Sequence, residues 1–228
     1  MNELWTCELG TVAYDEALAL QARLCEARKA DEVPDTLLLL DHHPVYTRGR
    51  RSSDADLPLG GEFYSAQGIE IVEVDRGGLV TYHGPGQLVG YPIMRIGDVI
   101  GYLRTLEQAI VAALATEGMA ARGGGRRPTG VWVGERKIAS IGVHVSRRVA
   151  THGFAINVDN DLQPFEWIVP CGLDAVSMTS LARESGASGS FERFRESVAE
   201  QVALAFALQR HAVSPDQLLA ALAAGVAG

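Results

Sequence analysis

The sequence predicts an α+β, or mixed α/β, domain. Three observations carry that reading. A chain of 228 residues with 47% hydrophobic content suits one closed core. Short β-type runs crowd its middle, and amphipathic stretches dominate its end. The two kinds of segment do not alternate as regular β-α-β units.

The elements follow in order. Residues 4–9 read as a short strand. Residues 13–29 read as a helix, with Tyr14, Leu18, Gln21 and Cys25 on one side and Ala17, Leu20 and Leu24 beside it. The leucine run at 36–40, ending at Asp41, reads as a buried strand, and 69–74 and 88–94 read as two more. Residues 98–117 are helical, with Asp98 as N-cap and Gly118 as stop signal. Residues 130–133 and 137–145 flank Gly134-Glu135-Arg136 and predict a hairpin. Residues 152–158 make a further strand, 160–170 a loop, 191–210 an amphipathic helix and 215–224 a short terminal one. One domain over 1–228 is expected, with 186–228 as its helical C-terminal part and 186–190 as a candidate boundary.

The net charge of -8 argues against general nucleic-acid binding. Arginines nevertheless cluster at Arg48, Arg50 and Arg51, at Arg122, Arg126 and Arg127, and at Arg147 and Arg148. Each cluster is either solvated surface or a docking patch for an acidic partner. No apolar run reaches membrane-spanning length, and the first residues show no export signal. Three scattered cysteines, Cys7, Cys25 and Cys171, fit a reducing compartment, so a cytoplasmic protein is expected.

The chemistry-bearing residues fall in a few segments. Cys7 lies in a strand and Cys25 on a helix face, where free cysteine is usually inert. Cys171 stands between Pro170 and Gly172, which force a turn around it and keep its sulfur reachable. A thiol needs an activator at neutral pH. Six histidines are available: His42, His43, His83, His144, His152 and His211. One of the adjacent pair His42 and His43 is expected to point inward. Lys137 opens the apolar run Ile138-Ala139-Ser140-Ile141-Gly142-Val143 and is either an exposed hairpin residue or a partly desolvated base. A second constellation is Asp75-Arg76-Gly77-Gly78-Leu79-Val80-Thr81-Tyr82-His83-Gly84-Pro85-Gly86-Gln87. Its glycines let backbone approach a ligand closely, with Tyr82 and His83 beside it. It matches neither the P-loop nor the dinucleotide fingerprint. Gly123-Gly124-Gly125-Arg126-Arg127-Pro128 reads as a loop entering the hairpin. Histidine and cysteine show no paired metal-ligand spacing, so no metal and no cofactor is expected.

Taken together, these segments resemble the lipoyl(octanoyl) transferase family, which is similar in fold to lipoate and biotin protein ligases. The likeness runs through His43-Pro44-Val45-Tyr46-Thr47-Arg48-Gly49-Arg50, the Asp75 to Gln87 constellation, Lys137-Ile138-Ala139-Ser140-Ile141-Gly142-Val143 and His152-Gly153-Phe154-Ala155-Ile156-Asn157-Val158. It ends at Pro170-Cys171-Gly172 and Thr179-Ser180-Leu181. The resemblance implies a single ligase-like domain whose central mixed sheet is flanked by helices, with a smaller sheet beside it. It implies a Cys171 acyl-thioester with Lys137 lowering its pKa. It implies substrate binding by Arg76, Gly77, Gly78, Leu79, Val80, Thr81, Tyr82 and His83, by Ser140, Ile141 and Gly142, and by Gly153, Phe154 and Ala155.

The implied reaction moves octanoyl from octanoyl-acyl carrier protein through Cys171 to a lysine of a lipoyl domain, as the first step of endogenous protein lipoylation. Its acceptors would be lipoyl domains of 2-oxoacid dehydrogenase complexes and the glycine cleavage H protein. Residues 138–143 would wall the acyl slot, with Gly142 leaving width. Three alternatives stand beside this reading: an ATP-dependent lipoate or biotin protein ligase, a cysteine thioesterase using His83 or His144, and a non-enzymatic lipoyl-domain-binding module.

Overall fold

A computed structural model of the chain describes residues 2–125, 129–169, 176–186 and 191–225. Pro170, Cys171 and Gly172 lie outside the described residues, as do Arg126, Arg127 and Pro128. The order of elements is β1 (Glu3–Val12), α1 (Tyr14–Lys29), β2 (Asp35–His42), β3 (Val45–Arg48), α2 (Gly61–Ala66), β4 (Glu70–Glu73), β5 (Val80–His83) and β6 (Gln87–Arg95). There follow α3 (Val99–Thr116), β7 (Arg122–Gly123), β8 (Gly130–Val133), β9 (Arg136–Ser146), β10 (Val149–Asn157), α4 (Leu181–Ser185), α5 (Phe191–Ala205), β11 (Gln209–Ala212) and α6 (Pro215–Gly225). Single 3₁₀ turns occupy Asp54–Asp56 and Gln163–Trp167.

Eight strands form one mixed sheet in the order β11-β1-β2-β6-β10-β9-β8-β7, and β4-β3-β5 form a smaller one. The leucine run of β2 explains how the large sheet is covered. Side chains alternate along a strand. Leu37 and Leu39 face a core with α3 and α5, whereas Leu38 and Leu40 face α1 and α6. Each fully buried leucine contributes about 1.5–3 kcal/mol, so both faces hold β2 in register. Helix α3 starts where Asp98 accepts hydrogen bonds from the N–H groups of Ile100 and Gly101. Gly118, at φ +74°, lies just beyond its end. A third core, with Tyr46, Tyr64, Val80, Tyr82 and Phe165, binds the small sheet to the 3₁₀ turn at Gln163–Trp167.

The structure departs from the sequence reading in several segments. The helix expected over 191–210 stops at Ala205; Ala207 adopts φ +53°, and β11 then pairs in parallel with β1. No glycine or proline marks that stop, because pairing with an open sheet edge determines it. Strand β3 and helix α2 were not legible as elements. Residues 80–83, within the expected glycine loop, are strand β5, paired antiparallel with β3. Among the described residues no helix is long and apolar enough to cross a membrane.

Candidate active site

A cavity of about 620 Å³ opens where the two sheets meet. Three segments supply most of its wall. Strand β9 contributes Lys137, Ser140, Ile141, Gly142 and Val143, and β10 contributes His152, Gly153, Phe154 and Ala155. The segment entering β5 contributes Arg76, Gly77, Gly78, Leu79, Val80, Thr81 and His83. Tyr14, Arg51, Tyr91, Val99, Leu103 and Thr129 complete it.

Lys137 is 2% exposed, so of the two placements open from sequence the structure shows the buried one. Two local features account for this. Val131 opposes Ala139 while Trp132 opposes Lys137, so Ile138 is an extra residue in the ladder. Such a bulge re-aims the side chain beside it. Gly130, at φ +143°, lies under the lysine: a Cβ there would come within 2.7 Å of Lys137 Cε and 2.4 Å of Ala139 O. Lys137 Nζ sits 5.8 Å from the Trp132 ring centroid. On its other edge the lysine's backbone is fixed from both sides. Its N–H donates to Ser177 O and its carbonyl accepts from Thr179 N–H, each at 2.9 Å. Val176, just before Ser177, is where the described chain resumes after Cys171.

The Arg76 segment is pinned to both sheets. Arg76 is buried, and its guanidinium donates to Thr47 O and Oγ1 of β3, each at 2.7 Å through Nη2. The Gly77 N–H donates to Val143 O of β9 at 3.0 Å, so that N–H is already used. Gly142 permits this crossing, because a Cβ there would meet Gly77 O at 2.9 Å. Its bareness therefore makes room for backbone, where the sequence reading gave the space to the acyl chain. Gly153 likewise allows contact with β6, its missing Cβ lying 2.2 Å from Gly90 O.

Tyr82 is the sequence-selected residue that does not reach the cavity. Alternation along β5 sends Thr81 and His83 to the cavity and Tyr82 into the small-sheet core, while Val80 packs in that core and also borders the cavity. Its ring packs 5.6 Å from Tyr46 and from Phe165.

Another wall is built of satisfied aromatic groups. His42 Nδ1–H donates to Val12 O at 2.8 Å, and His42 Nε2 accepts from the Tyr91 hydroxyl at 2.7 Å. Burial pushes the His42 pKa down to about 4, against the opposing pull of the Val12 carbonyl. Burial also raises Tyr14 to about 12 and Tyr91 well above the ordinary phenol value. These groups stay neutral; Tyr14 and Tyr91 face the cavity, with His42 packed behind them. His83 Nδ1–H donates to Gln87 Oε1 at 2.7 Å; desolvation, with His42 next, keeps its pKa well below the ordinary range. Gln87 Nε2 donates to Asn157 Oδ1 at 2.9 Å, and Asn157 Nδ2 to Thr179 O at 3.0 Å. This buried chain links the cavity wall to the segment that follows Cys171.

Sequence reasoning missed Tyr14, Tyr91, Thr129, Val99 and Leu103 as cavity residues. Tyr91 carried a signal: a phenol in an otherwise apolar buried strand needs a partner. Of the paired histidines, His42 is the inward one and His43 is exposed. Cys7 and Cys25 are buried, as expected. The arginine clusters are partly neutralised by neighbours: Arg48 pairs with Asp54 and Glu73, Arg122 with Glu135, and Arg147 with Glu26.

Comparison with known proteins agrees on both sequence and fold. Residues 13–203 match the family described as the lipoyl protein ligase A/B catalytic domain. An octanoyltransferase of Solibacter usitatus is 48% identical over 195 residues, covering 82% of this chain and 87% of that protein. One of Rubrobacter xylanophilus is 50% identical over 183 residues, covering 78% and 81%. Among solved structures, a bi-partite lipoate protein ligase of Thermoplasma acidophilum, described with its E2 lipoyl domain, superposes with a TM-score of 0.75 at 16% identity, covering 98% of this chain and 92% of that one. That likeness concerns the fold alone.

Proposed function

The chain belongs to the lipoyl protein ligase A/B catalytic-domain family, and from that premise we propose that its octanoyl transfer runs through a thioester on Cys171, activated by Lys137. It is an acyltransferase of protein lipoylation. The observation that carries the proposal is the placement of Lys137: buried, in a cavity wall, and paired through its backbone with Ser177, a few residues beyond Cys171.

The thiol proton of Cys171 passes to Lys137 Nζ. The thiolate attacks the carbonyl carbon of the donor thioester. As the tetrahedral intermediate collapses, the donor's sulfur leaves and takes the proton back from the Lys137 ammonium. A lysine amine of the acceptor then attacks the Cys171 thioester, and Lys137 accepts the amine's proton. The Cys171 sulfur leaves as that proton returns to it, and an amide remains. Thioester exchange is close to neutral and amide formation is downhill, so the sequence needs no nucleotide.

The cavity suits the acyl chain. Ile141, Val143 and Phe154 offer apolar surface, and each buried methylene is worth about 0.8 kcal/mol. The donor we assign is octanoyl-acyl carrier protein. The acceptors are lipoyl-domain proteins, namely those of 2-oxoacid dehydrogenase complexes and the glycine cleavage H protein. A single catalytic domain working in the cytoplasm, without a cofactor, completes the proposal.

Intact mass spectrometry tests it. Mixing the protein with octanoyl-acyl carrier protein, without ATP, gives an octanoyl adduct that hydroxylamine removes and that Cys171→Ala lacks. Octanoylation of a lipoyl domain that requires ATP and free octanoate, and proceeds in Cys171→Ala, refutes the thioester route.

A further inference from the structure

The Arg76 segment is fixed to β3 through Thr47 and to β9 through Val143. A third attachment leads the other way, to β10 and α1. Asp75 Oδ1 accepts from His152 Nε2 at 2.7 Å, and Asp75 Oδ2 lies 3.5 Å from His144 Nε2. His152 is 2% exposed and holds φ +57°, a conformation that a non-glycine residue keeps only where its surroundings impose it. What imposes it is Gln21 of α1, itself 1% exposed, whose Oε1 accepts the His152 N–H at 2.8 Å.

We propose that Gln21, His152 and Asp75 are positioning residues that lock the Arg76-Gly77-Gly78 wall against β10 and thereby set the affinity for the acyl donor. The proposal rests on reading this cavity as the acyl slot. The Asp75 side chain is 54% exposed, so its bond to His152 adds little to the core. Its effect is geometric. Without it the segment keeps its bonds to Thr47, to Val143 and to the backbone N–H groups of Arg50 and Arg51, and the wall next to Gly153 and Phe154 is free to swing from β10. Lys137 stands near the start of β9, beside Trp132, whereas the Arg76 segment meets that strand at Val143, so the chemical step is not touched.

The test separates affinity from chemistry. Asp75→Ala raises KM for octanoyl-acyl carrier protein about tenfold, the factor one charge-assisted hydrogen bond is worth, while kcat stays within about twofold. Asp75→Asn retains an acceptor for His152 N–H and returns KM to within about threefold of the parent. His152→Asn, which tolerates the left-handed backbone but is too short to reach Asp75, reproduces the rise in KM. An unchanged KM in Asp75→Ala overturns the proposal, as does a fall in kcat at unchanged KM. Either result in an enzyme that still forms the Cys171 adduct refutes the positioning role alone. A parent protein that forms no adduct refutes the reading of the cavity itself.

Discussion

Gly130→Ala is a sharp probe of how the lysine is held. The added methyl would sit 2.4 Å from Ala139 O and 2.7 Å from Lys137 Cε, about 1 Å inside ordinary contact. The carbonyl belongs to the sheet ladder and has little room to retreat, so β8 moves away from β9 or the lysine swings aside. Overpacking of this kind costs about 1–3 kcal/mol, and in a chain of this length each kcal/mol lowers Tm by about 2–4 °C. The larger effect falls on the rate, because a misplacement of about 1 Å at a reacting group costs on the order of 10²-fold. Single-turnover acylation of Cys171, followed by intact mass at saturating donor, measures it directly. Thermal unfolding of the same samples shows that the variant is folded. If the methyl acts through Lys137, the pair Gly130→Ala with Lys137→Ala is no slower than Lys137→Ala alone. Acylation at the parent rate in Gly130→Ala, or additive losses in the double variant, refutes the idea that Gly130 exists to seat the lysine.

Two further outcomes follow from residues in and behind the cavity walls. His42 titrates at about 4 in the folded chain and near 6.5 when unfolded, so the unfolded chain binds the extra proton between those values and stability falls on acidification. The loss approaches about 3 kcal/mol by pH 4. His42→Asn should flatten the difference between urea midpoints at pH 7 and pH 4.5, and an unchanged slope counts against a neutral buried imidazole. Gly142→Ala would place a Cβ 2.9 Å from Gly77 O and push that segment outward. KM should rise about three- to tenfold for hexanoyl and octanoyl donors alike, roughly 0.6–1.4 kcal/mol. Selective loss of the longer chain would instead restore the view that Gly142 leaves room for acyl carbons.

How far the sequence was readable depended on how local the cause was. β2 announced itself because a strand covered on both faces must be apolar at every position, and Leu37, Leu38, Leu39 and Leu40 are. Helix α3 carried its own start in Asp98 and its stop in Gly118, and the β8–β9 hairpin its turn in Gly134. The motif residues in the Arg76 segment, β9 and β10 do converge on one cavity, apart from Tyr82. What escaped was set at a distance. The burial of Lys137 needs a bulge at Ile138 and a bare Gly130 across the ladder, neither of which its own neighbours encode. Tyr14 and Tyr91 meet the cavity because α1 packs on β6. β11 exists because β1 has an edge to fill, and its first residues, Gln209 and Arg210, read as the end of a helix when that edge is out of sight.

That last pairing also bears on how the protein matures on the ribosome. Glu3 to Thr6 of β1 are synthesised about 200 residues before their neighbours in register, Gln209 to Ala212. At about 5–20 residues per second the delay is of order ten to forty seconds. Throughout that interval the nascent sheet presents one unzipped border, the kind of surface on which stray chains add themselves. A partly made polypeptide carries that open seam until β11 emerges and closes it.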